Sequence, residues 1–331
     1  MERKSLVDSF GRSHNYLRIS VTDRCNLRCS YCMGPEGVDW LDREKILRYE
    51  EIVEVVKVAA GLGINKIRIT GGEPLVRKDL SLLVKELRRI PGIKDLSLTT
   101  NGLLLAKQAK ELHDAGLNRV NVSLDSLDPE NYRQITNGGD LKEVLSGIEA
   151  ALTVGLLPVK INVVLMKGLN DHEIPAFLKI ASERPLQIRF IEYMPLGTGN
   201  NERLESAFLS AATVLETAAA LGAPLTENSQ NNCGGGPSDL FKLPGSAGSV
   251  GLIHPVSSRF CSTCNRLRLT ADGFLKPCLY WNDELAVRPC LGDSEALSNL
   301  FFQAMEIKKE KHGMSADGQL ISTRCMSRIG G

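Results

Sequence analysis

Short β-branched runs alternate with segments of helical periodicity from residue 16 to residue 195, and this alternation constrains the fold more than any other feature. Several helical segments end in glycine, at Gly61, Gly116 and Gly155, and helix C-termini commonly carry glycine. Six β-α units in succession are typical of a parallel sheet or barrel. The candidate strands are residues 16–22, 66–70, 95–101, 119–125, 158–166 and 187–194, and the candidate helices are residues 50–61, 80–89, 103–115, 141–154 and 174–182.

Polar residues alternate with apolar ones along these strands. In the second strand, for example, Lys66, Arg68 and Thr70 alternate with Ile67 and Ile69. A closed eight-stranded barrel fills its interior with branched apolar side chains, so a polar face predicts an open barrel around a cavity. A solvated face of an antiparallel sheet would alternate in the same way, but the intervening helices favour parallel strands. We therefore predict an α/β fold with an open partial (βα)6 TIM-like barrel, whose excess of Arg and Lys suits an anionic substrate.

The pattern changes after Pro195, where stretches rich in Gly, Asn, Ser and Pro begin. This second region contains a helix candidate, a series of short strands and turns, and a final helix, at residues 207–221, 249–280 and 295–311. No long linker separates the two regions. We expect a barrel domain over residues 1–200 and a C-terminal α+β domain over residues 201–331 that packs against the barrel mouth.

Charge and hydropathy narrow the classes of function. The 331 residues carry a net charge of +1, so the global balance calls for neither a nucleic acid nor a membrane surface as a partner. No run of about 18 uncharged apolar residues is present, and residues 1–12 lack the apolar core of a signal peptide. We therefore expect a cytoplasmic protein.

The chain has nine cysteines, which in a reducing compartment more often bind metal or act in catalysis than form disulfides. Six of them fall into two tight groups, Cys25, Cys29 and Cys32, then Cys261, Cys264 and Cys278. The isolated ones are interpreted as small buried hydrophobes; they are Cys233, Cys290 and Cys325.

The first triad, Cys25, Cys29 and Cys32, follows the first candidate strand directly, where barrel enzymes place catalytic groups. Three thiolates at this spacing can bind three irons of a [4Fe–4S] cluster and leave the fourth iron without a cysteine. A ferredoxin run would supply four cysteines, and a zinc site would show paired ligands with a fourth close by. The spacing therefore favours a cluster with one open iron.

Residues 25–32 read CNLRCSYC and resemble the signature of radical S-adenosylmethionine (SAM) enzymes. Residues 71–74 read GGEP and match the second marker of that superfamily, a glycine-rich turn after the second strand. The resemblance implies that the open iron binds SAM, whose reductive cleavage gives a 5′-deoxyadenosyl radical. It also implies a set of SAM contacts, namely Tyr31, Gly72, Ser123 and Met194.

In the second triad, thirteen residues separate Cys264 from Cys278. A structural zinc site would need a fourth ligand, for which His254 is a candidate. The alternative is a second three-cysteine cluster whose open iron faces the substrate. Residues 260–273 read FCSTCNRLRLTADG and closely resemble the GTP 3′,8-cyclase family of molybdenum cofactor biosynthesis.

This second resemblance implies a lyase with SAM and two [4Fe–4S] clusters as cofactors. The radical would remove the 3′-hydrogen of GTP, and the ribose radical would attack C8 of guanine to give 3′,8-cyclo-7,8-dihydroguanosine 5′-triphosphate. The second cluster would anchor the guanine. Implied partners are a flavodoxin- or ferredoxin-type reductant, the next pathway enzyme (cyclic pyranopterin monophosphate synthase) and a second copy in a homodimer.

Substrate contacts are also implied by the resemblance, and the strand alternation independently turns several of these cations into the cavity. The full set is Arg18, Lys66, Arg68, Thr99, Lys160, Arg189, Arg266 and Arg268. Arg is well suited to a triphosphate because its forked donors match phosphate oxygens. The family's terminal glycine pair, here Gly330 and Gly331, is implied to reach into the barrel as part of the catalytic site.

Two alternatives stay open from the sequence. One is a different two-cluster radical SAM enzyme that modifies peptides or proteins. The other is a non-catalytic iron–sulfur or zinc module, which would leave the polar barrel unexplained.

Overall fold

The structure, a computed structural model, describes residues 5–33, 38–194, 207–228, 236–314 and 324–330. Cys233 and Gly331, both singled out from the sequence, lie outside these ranges. No helix within them is long and apolar enough to cross a membrane.

The described chain contains twelve strands and nine α-helices. The strands are β1 Tyr16–Ser20, β2 Lys66–Thr70, β3 Asp95–Thr100, β4 Arg119–Ser123, β5 Lys160–Leu165, β6 Gln187–Glu192, β7 Thr226–Glu227, β8 Asp239–Lys242, β9 Ser249–Ile253, β10 Arg266–Leu269, β11 Phe274–Lys276 and β12 Leu285–Ala286. The helices are α1 Tyr49–Gly61, α2 Leu80–Arg89, α3 Leu105–Asp114, α4 Pro129–Thr136, α5 Leu141–Val154, α6 Ile174–Glu183, α7 Ala212–Ala220, α8 Ser294–Glu306 and α9 Met326–Ile329.

All twelve strands form one sheet in the order β12-β11-β10-β1-β2-β3-β4-β5-β6-β9-β8-β7. The six predicted strands lie at its centre in chain order and are parallel, which confirms the predicted α/β barrel core. The C-terminal region then extends both sides: β10 pairs parallel with β1, and β9 pairs parallel with β6. The outer strands β11, β12, β8 and β7 are antiparallel.

The apolar face of the central strands packs beneath the helices, as the alternation predicted. Ile67, Ile69, Val120 and Val122 have no exposed surface and belong to one continuous core. Burying a side chain of this kind contributes about 1.5–3 kcal/mol to folding. The opposite face carries the polar residues, so the sheet sets them toward the interior of the curved barrel.

Helix α4 is absent from the sequence-based prediction, although its start carries a recognisable signal. The Asp128 side chain accepts a hydrogen bond from the Asn131 backbone N–H at 2.8 Å, and Pro129 opens the first turn. Two predicted helices are also shorter than expected. Helix α7 begins only at Ala212, because the Glu192 carboxylate accepts the N–H of Ala211, and helix α8 ends at Glu306.

Candidate active site

Two adjoining cavities open on the polar face of the sheet, and each contains one cysteine triad. The first cavity is lined by Cys25, Cys29 and Cys32, and the second cavity by Cys261, Cys264 and Cys278. Four residues line both cavities and therefore lie between them; they are Asn162, Ile191, Met194 and Met326. The two triads predicted from spacing thus face one continuous interior.

The first triad is held by the backbone of its own loop and by helix α4. The Cys29 carbonyl accepts hydrogen bonds from the N–H groups of Cys32 at 2.9 Å and Met33 at 3.1 Å, which closes a tight turn. The N–H of Ser30 reaches the last turn of α4, donating to Ile135 at 3.0 Å. The loop after β1 is therefore docked on a helix end that presents free carbonyls.

The glycine-rich turn after β2 packs against the backbone that leads into this loop. The N–H of Gly72 donates to the Thr22 carbonyl at 2.8 Å, and that of Glu73 donates to Arg24 at 2.8 Å. A Cβ atom on Gly72 would collide with the carbonyl oxygens of Asp23 and Arg24. Only glycine permits this approach, which fixes the turn beside the cysteine loop.

Carboxylates give the first cavity its electrostatic character. Glu73 accepts hydrogen bonds from Thr100 Oγ1 at 2.8 Å and from the Asn101 N–H at 2.7 Å, and burial raises its pKa to about 7. Asp125 accepts from the Tyr31 hydroxyl at 2.7 Å, and burial raises its pKa to about 6. These groups, together with Glu192, line the cavity. A cationic ligand would be complementary to them.

All four predicted SAM contacts line the first cavity: Tyr31, Gly72, Ser123 and Met194. Thr99, predicted as a substrate contact, also lines this cavity rather than the second, and its hydroxyl is buried with no hydrogen-bond partner among the described residues. Sequence reasoning singled out neither Asp125 nor Glu192 as a site residue, although Asp125 closes the polar alternation of its strand.

Glu192 also contacts His254, the candidate fourth zinc ligand. His254 Nδ1 lies 3.6 Å from Glu192 Oε1 and its Nε2 lies 3.6 Å from Asp239 Oδ2, so the ring is engaged by two carboxylates. Burial alone would raise the pKa of Glu192, but hydrogen bonds from His254 and Ser257 lower it to about 2. His254 therefore acts in an ion pair beside β6 and is not turned to the second triad.

Two cations brought from distant segments frame the second triad. Arg12, from the N-terminal segment, donates to the carbonyl oxygens of Cys261 at 2.8 Å and Glu310 at 2.7 Å. Its Nε binds the buried Asp8 carboxylate at 2.6 Å. Lys308, which follows α8, donates through Nζ to the carbonyl of Arg266 at 3.0 Å and to that of Pro277. The backbone at or beside all three cysteines is thus tied to a buried cation.

Cys32 of the first triad and Cys264 of the second are in different electrostatic surroundings, whereas burial raises the pKa of Cys261 as it does that of Cys32. Burial, with Cys25 and Cys325 nearby, raises the pKa of Cys32 to about 12. Burial alone would also raise the pKa of Cys264, but Arg266 and Lys308 lower it to about 6, so this thiol is ionised at neutral pH. A thiolate is the form that binds metal.

The second cavity carries a wall of cations. Six of the predicted substrate residues line it: Arg18, Arg68, Lys160, Arg189, Arg266 and Arg268. The cations in this wall disfavour one another's charged forms. Burial, followed by the charges of Arg189 and Arg119, lowers the pKa of Lys160 to about 7. Arg189 is oriented by Asn162, whose Oδ1 accepts from its Nε at 2.9 Å.

Two further residues of this cavity were missed from the sequence, and one predicted residue lies outside it. Arg119 lines it and is paired with Asp95 at 2.6 Å; it lies two positions before Asn121, so the alternation of β4 could have revealed it. The Tyr16 hydroxyl is buried there without a hydrogen-bond partner in the described chain. Lys66 is half-buried at the start of β2 and lies outside the lining of both cavities.

The tail threads between the cavities. Arg324 binds Asp272 at 2.8 Å and Glu284 at 2.7 Å, which fixes the start of α9. The carbonyl of Gly330 accepts a hydrogen bond from Arg268, and a Cβ on Gly330 would collide with Thr70 Oγ1. The predicted insertion of this tail therefore holds for Gly330, while Gly331 lies outside the described residues.

The donor chemistry of both triads fits an iron–sulfur cluster, since each cavity wall presents three thiols. Within the described ranges, no group of three or more His, Cys, Asp or Glu side chains is arranged to hold a single metal ion. The ligands of a cubane bind separate irons and need not converge on one point.

Family comparisons agree with this geometry. Residues 19–181 match the Radical SAM superfamily, and residues 186–314 match Molybdenum Cofactor Synthesis C. The GTP 3′,8-cyclase of Listeria welshimeri is 48% identical over 332 residues, covering 98% of this chain and 99% of that protein. The GTP 3′,8-cyclase of Petrotoga mobilis is 48% identical over 333 residues, covering 98% of this chain and 100% of that protein.

Solved structures share the fold at low sequence identity. Streptococcus suis SuiB bound to S-adenosylmethionine superposes with a TM-score of 0.60 at 14% identity, covering 88% of this chain and 68% of that chain. The anSMEcpe structure with bound AdoMet gives a TM-score of 0.54 at 16% identity, covering 88% of this chain and 79% of that one.

Proposed function

This chain belongs to the GTP 3′,8-cyclase family of the radical SAM superfamily, and from that premise we propose how its two cavities divide the reaction. It is a radical SAM enzyme that converts GTP into its 3′,8-cyclised product, and it uses SAM and an iron–sulfur cluster. The second cluster and the roles of individual residues are our proposal. The observation that carries it is the opposite charge of two cavities that share a wall.

In the first cavity, Cys25, Cys29 and Cys32 hold the cluster to which SAM binds. Cluster and cofactor together supply the radical that removes the 3′-hydrogen of GTP. Glu73 and Asp125 line this cavity and would supply negative charge to a cationic cofactor such as SAM, whose binding would lower the pKa of both carboxyls. The Tyr31 hydroxyl keeps the Asp125 carboxylate aimed at the cavity through its hydrogen bond. The cofactor contacts are Tyr31, Gly72, Ser123 and Met194.

In the second cavity, the cationic wall binds the triphosphate. Arg18, Arg68 and Arg189 are each at least nine-tenths buried, so their charges are little screened by solvent. A bound triphosphate would reduce the electrostatic repulsion among these cations. Binding of such an anion accounts for a cavity that is lined by many cations and, in the described chain, by no carboxylate. The other proposed contacts in this cavity are Lys160, Arg266 and Arg268. Lys66 and Thr99 lie outside the lining of this cavity, and their contact with the substrate stays a prediction.

The second cluster is proposed on Cys261, Cys264 and Cys278. When bound, its open iron supplies a Lewis-acidic anchor for the guanine base. Two observations support this proposal. The pKa of Cys264 is low, and hydrogen bonds from Arg12 and Lys308 to backbone carbonyls fix the segments that carry the cysteine ligands. Gly330 approaches Thr70 and Arg268 closely, which its lack of a side chain permits. The catalytic role of Gly330 and Gly331 is part of the proposal.

Five expectations from the sequence stay predictions. They are the domain division at residue 200, the cytoplasmic location, the flavodoxin- or ferredoxin-type reductant, the homodimer and transfer of the product to cyclic pyranopterin monophosphate synthase. Each concerns partners or boundaries beyond the two cavities.

The test is anaerobic reconstitution of the enzyme, followed by incubation with SAM, a chemical reductant and GTP. We expect 5′-deoxyadenosine and a cyclised nucleotide to form in step with each other, and only when GTP is present. If both clusters are intact and no cyclised nucleotide forms, the proposed division of the reaction is wrong. ATP in place of GTP is the matched control and should give no product.

A further inference from the structure

His312 lies at the second triad and is neither one of the three cysteines nor one of the cations that line the cavity. It follows helix α8, is 7% exposed, and lines the second cavity. Its backbone N–H donates a hydrogen bond to the Cys261 thiol. The imidazole is therefore held within reach of any ligand that approaches this triad.

The protonation of the ring follows from its contacts. The backbone N–H of Met314 donates to His312 Nδ1 at 3.2 Å, so Nδ1 is an acceptor and carries no proton. The ring's single proton is therefore on Nε2. That atom is fully buried and has no hydrogen-bond partner among the described residues. Buried donors are normally paired, so an unpaired one on a residue that lines a cavity indicates an acceptor on the ligand.

The surroundings indicate which part of the ligand approaches. The Tyr280 ring lies 5.8 Å from the His312 ring, centroid to centroid, and it lines the same cavity. Phe260 lines the cavity too, with the Arg266 guanidinium 4.8 Å from its ring centroid, and Arg18 and Arg68 line the cavity from β1 and β2. Flat aromatic surfaces suit a purine, and the cationic wall suits phosphates.

We propose that His312 is a specificity-determining residue, whose Nε2–H donates a hydrogen bond to the C6 carbonyl oxygen of the guanine base. The proposal rests on the proposed function in one respect, that GTP occupies the second cavity with its base at the triad. Guanine presents an acceptor at position 6, whereas adenine presents an amino donor there. A fixed donor therefore favours 6-oxopurine nucleotides, GTP and ITP, over ATP.

The experiment measures nucleotide binding without turnover. Protein reconstituted with its clusters, and kept free of SAM and reductant, is titrated with GTP, ITP and ATP by equilibrium dialysis. His312→Phe keeps a ring of similar size but removes the donor, and His312→Gln keeps an N–H near the same position. His113→Phe, at a half-exposed histidine on α3, is the matched control.

We expect His312→Phe to weaken GTP and ITP binding about tenfold and to change ATP binding less than about twofold. His312→Gln should recover part of the loss, and His113→Phe should match the wild type. Iron and sulfide content is measured on every variant and should be unchanged.

An unchanged ratio of GTP to ATP affinity in His312→Phe would overturn the proposal. Equal loss of iron from both His312 variants would overturn it too, because the residue would then act only through Cys261. If the wild type itself binds no GTP, the proposed function fails and this inference with it. Normal wild-type binding with an unaffected His312→Phe variant removes this inference alone.

Discussion

The two cavities carry the same number of thiols in opposite electrostatic settings. Glu73, Asp125 and Glu192 line the first, and seven Arg and Lys side chains line the second, namely Arg18, Arg68, Arg119, Lys160, Arg189, Arg266 and Arg268. Charge of one sign in a cleft concentrates ligands of the other sign. A cationic ligand is therefore favoured in the first cavity and a polyanionic ligand in the second, and only four of the described residues line both cavities.

The supports of the two triads differ as well. The first cysteine loop is tied to its neighbours by backbone hydrogen bonds, for example from Ser30 to the end of α4. The second depends on two long side chains, Arg12 and Lys308, that reach in from other segments. We infer that single substitutions outside the triads will disturb the second site more readily than the first.

The largest expected effect separates the two triads directly. Cys25→Ser should abolish SAM cleavage, whereas Cys261→Ser should leave cleavage measurable and abolish cyclisation, because only the second removes the base anchor. Chromatographic assay of 5′-deoxyadenosine and cyclised nucleotide distinguishes the two. Equal loss of both products in both variants would break the comparison.

The next effect concerns the contact of Gly330 with the barrel strands. Gly330→Ala should lower cyclisation by about tenfold or more, because its Cβ would collide with Thr70 Oγ1 and Gly330 has a φ of +79°. Gly245→Ala is the control, since Gly245 has a φ of +66° but open space around the added Cβ. Both variants are compared by single-turnover yield and thermal unfolding. A similar loss in both would mean that backbone strain, and not the tail contact, is responsible.

A third prediction tests the dependence of the second triad on outside cations. Lys308→Met leaves the carbonyls of Arg266 and Pro277 without their buried donor, at a cost of about 1–3 kcal/mol. We expect iron and sulfide to fall toward half, with the first cluster's electron paramagnetic resonance signal retained. The neighbouring Lys309→Met, at an exposed position, should keep full iron content. Loss of the first cluster's signal instead would contradict the separate supports.

The smallest effect is a pH dependence confined to the cationic cavity. Lys160 has a pKa of about 7 in the free protein, and a bound triphosphate favours its charged form. GTP binding therefore takes up a proton above pH 7, and affinity should fall about fivefold between pH 7 and pH 8.5. Lys160→Arg stays charged throughout and should remove most of this slope. Calorimetry in buffers of different ionisation enthalpy measures the proton uptake, and its absence would contradict the assignment.

Much of the architecture could be predicted from the sequence because periodicity and spacing are local signals. The alternation in β2 indicated both the buried face with Ile67 and the cavity face with Arg68, and cysteine spacing identified both triads. The parallel pairing of β9 and β10 could not be predicted, because β7 and β8 separate helix α7 from β9, and a cysteine-containing turn instead of an α-helix comes directly before β10.

The missed site residues share a different cause. Arg12 and Lys308 act on backbone carbonyls far along the chain, and such bonds leave no pattern in the residues that accept them. His312 lies in an irregular stretch without periodicity, so only its burial and its unpaired Nε2 reveal it. Arg119 was detectable, since it continues the alternation of β4.

The linear order of the sheet has a consequence for biosynthesis. Tyr16 of β1 pairs with Arg266 of β10, and β6 pairs with β9. Because β9 and β10 are synthesised after the six central strands, the outer edges of β1 and β6 stay unpaired until translation has passed β9 and β10. At a synthesis rate of about 5–20 residues per second, β1 is without β10 for on the order of ten seconds or more. An unpaired strand edge recruits other chains, so nascent copies need shielding for that interval. Slowing translation before residue 266, or depleting holdase chaperones, should therefore lower the yield of folded protein more than its equilibrium stability would suggest.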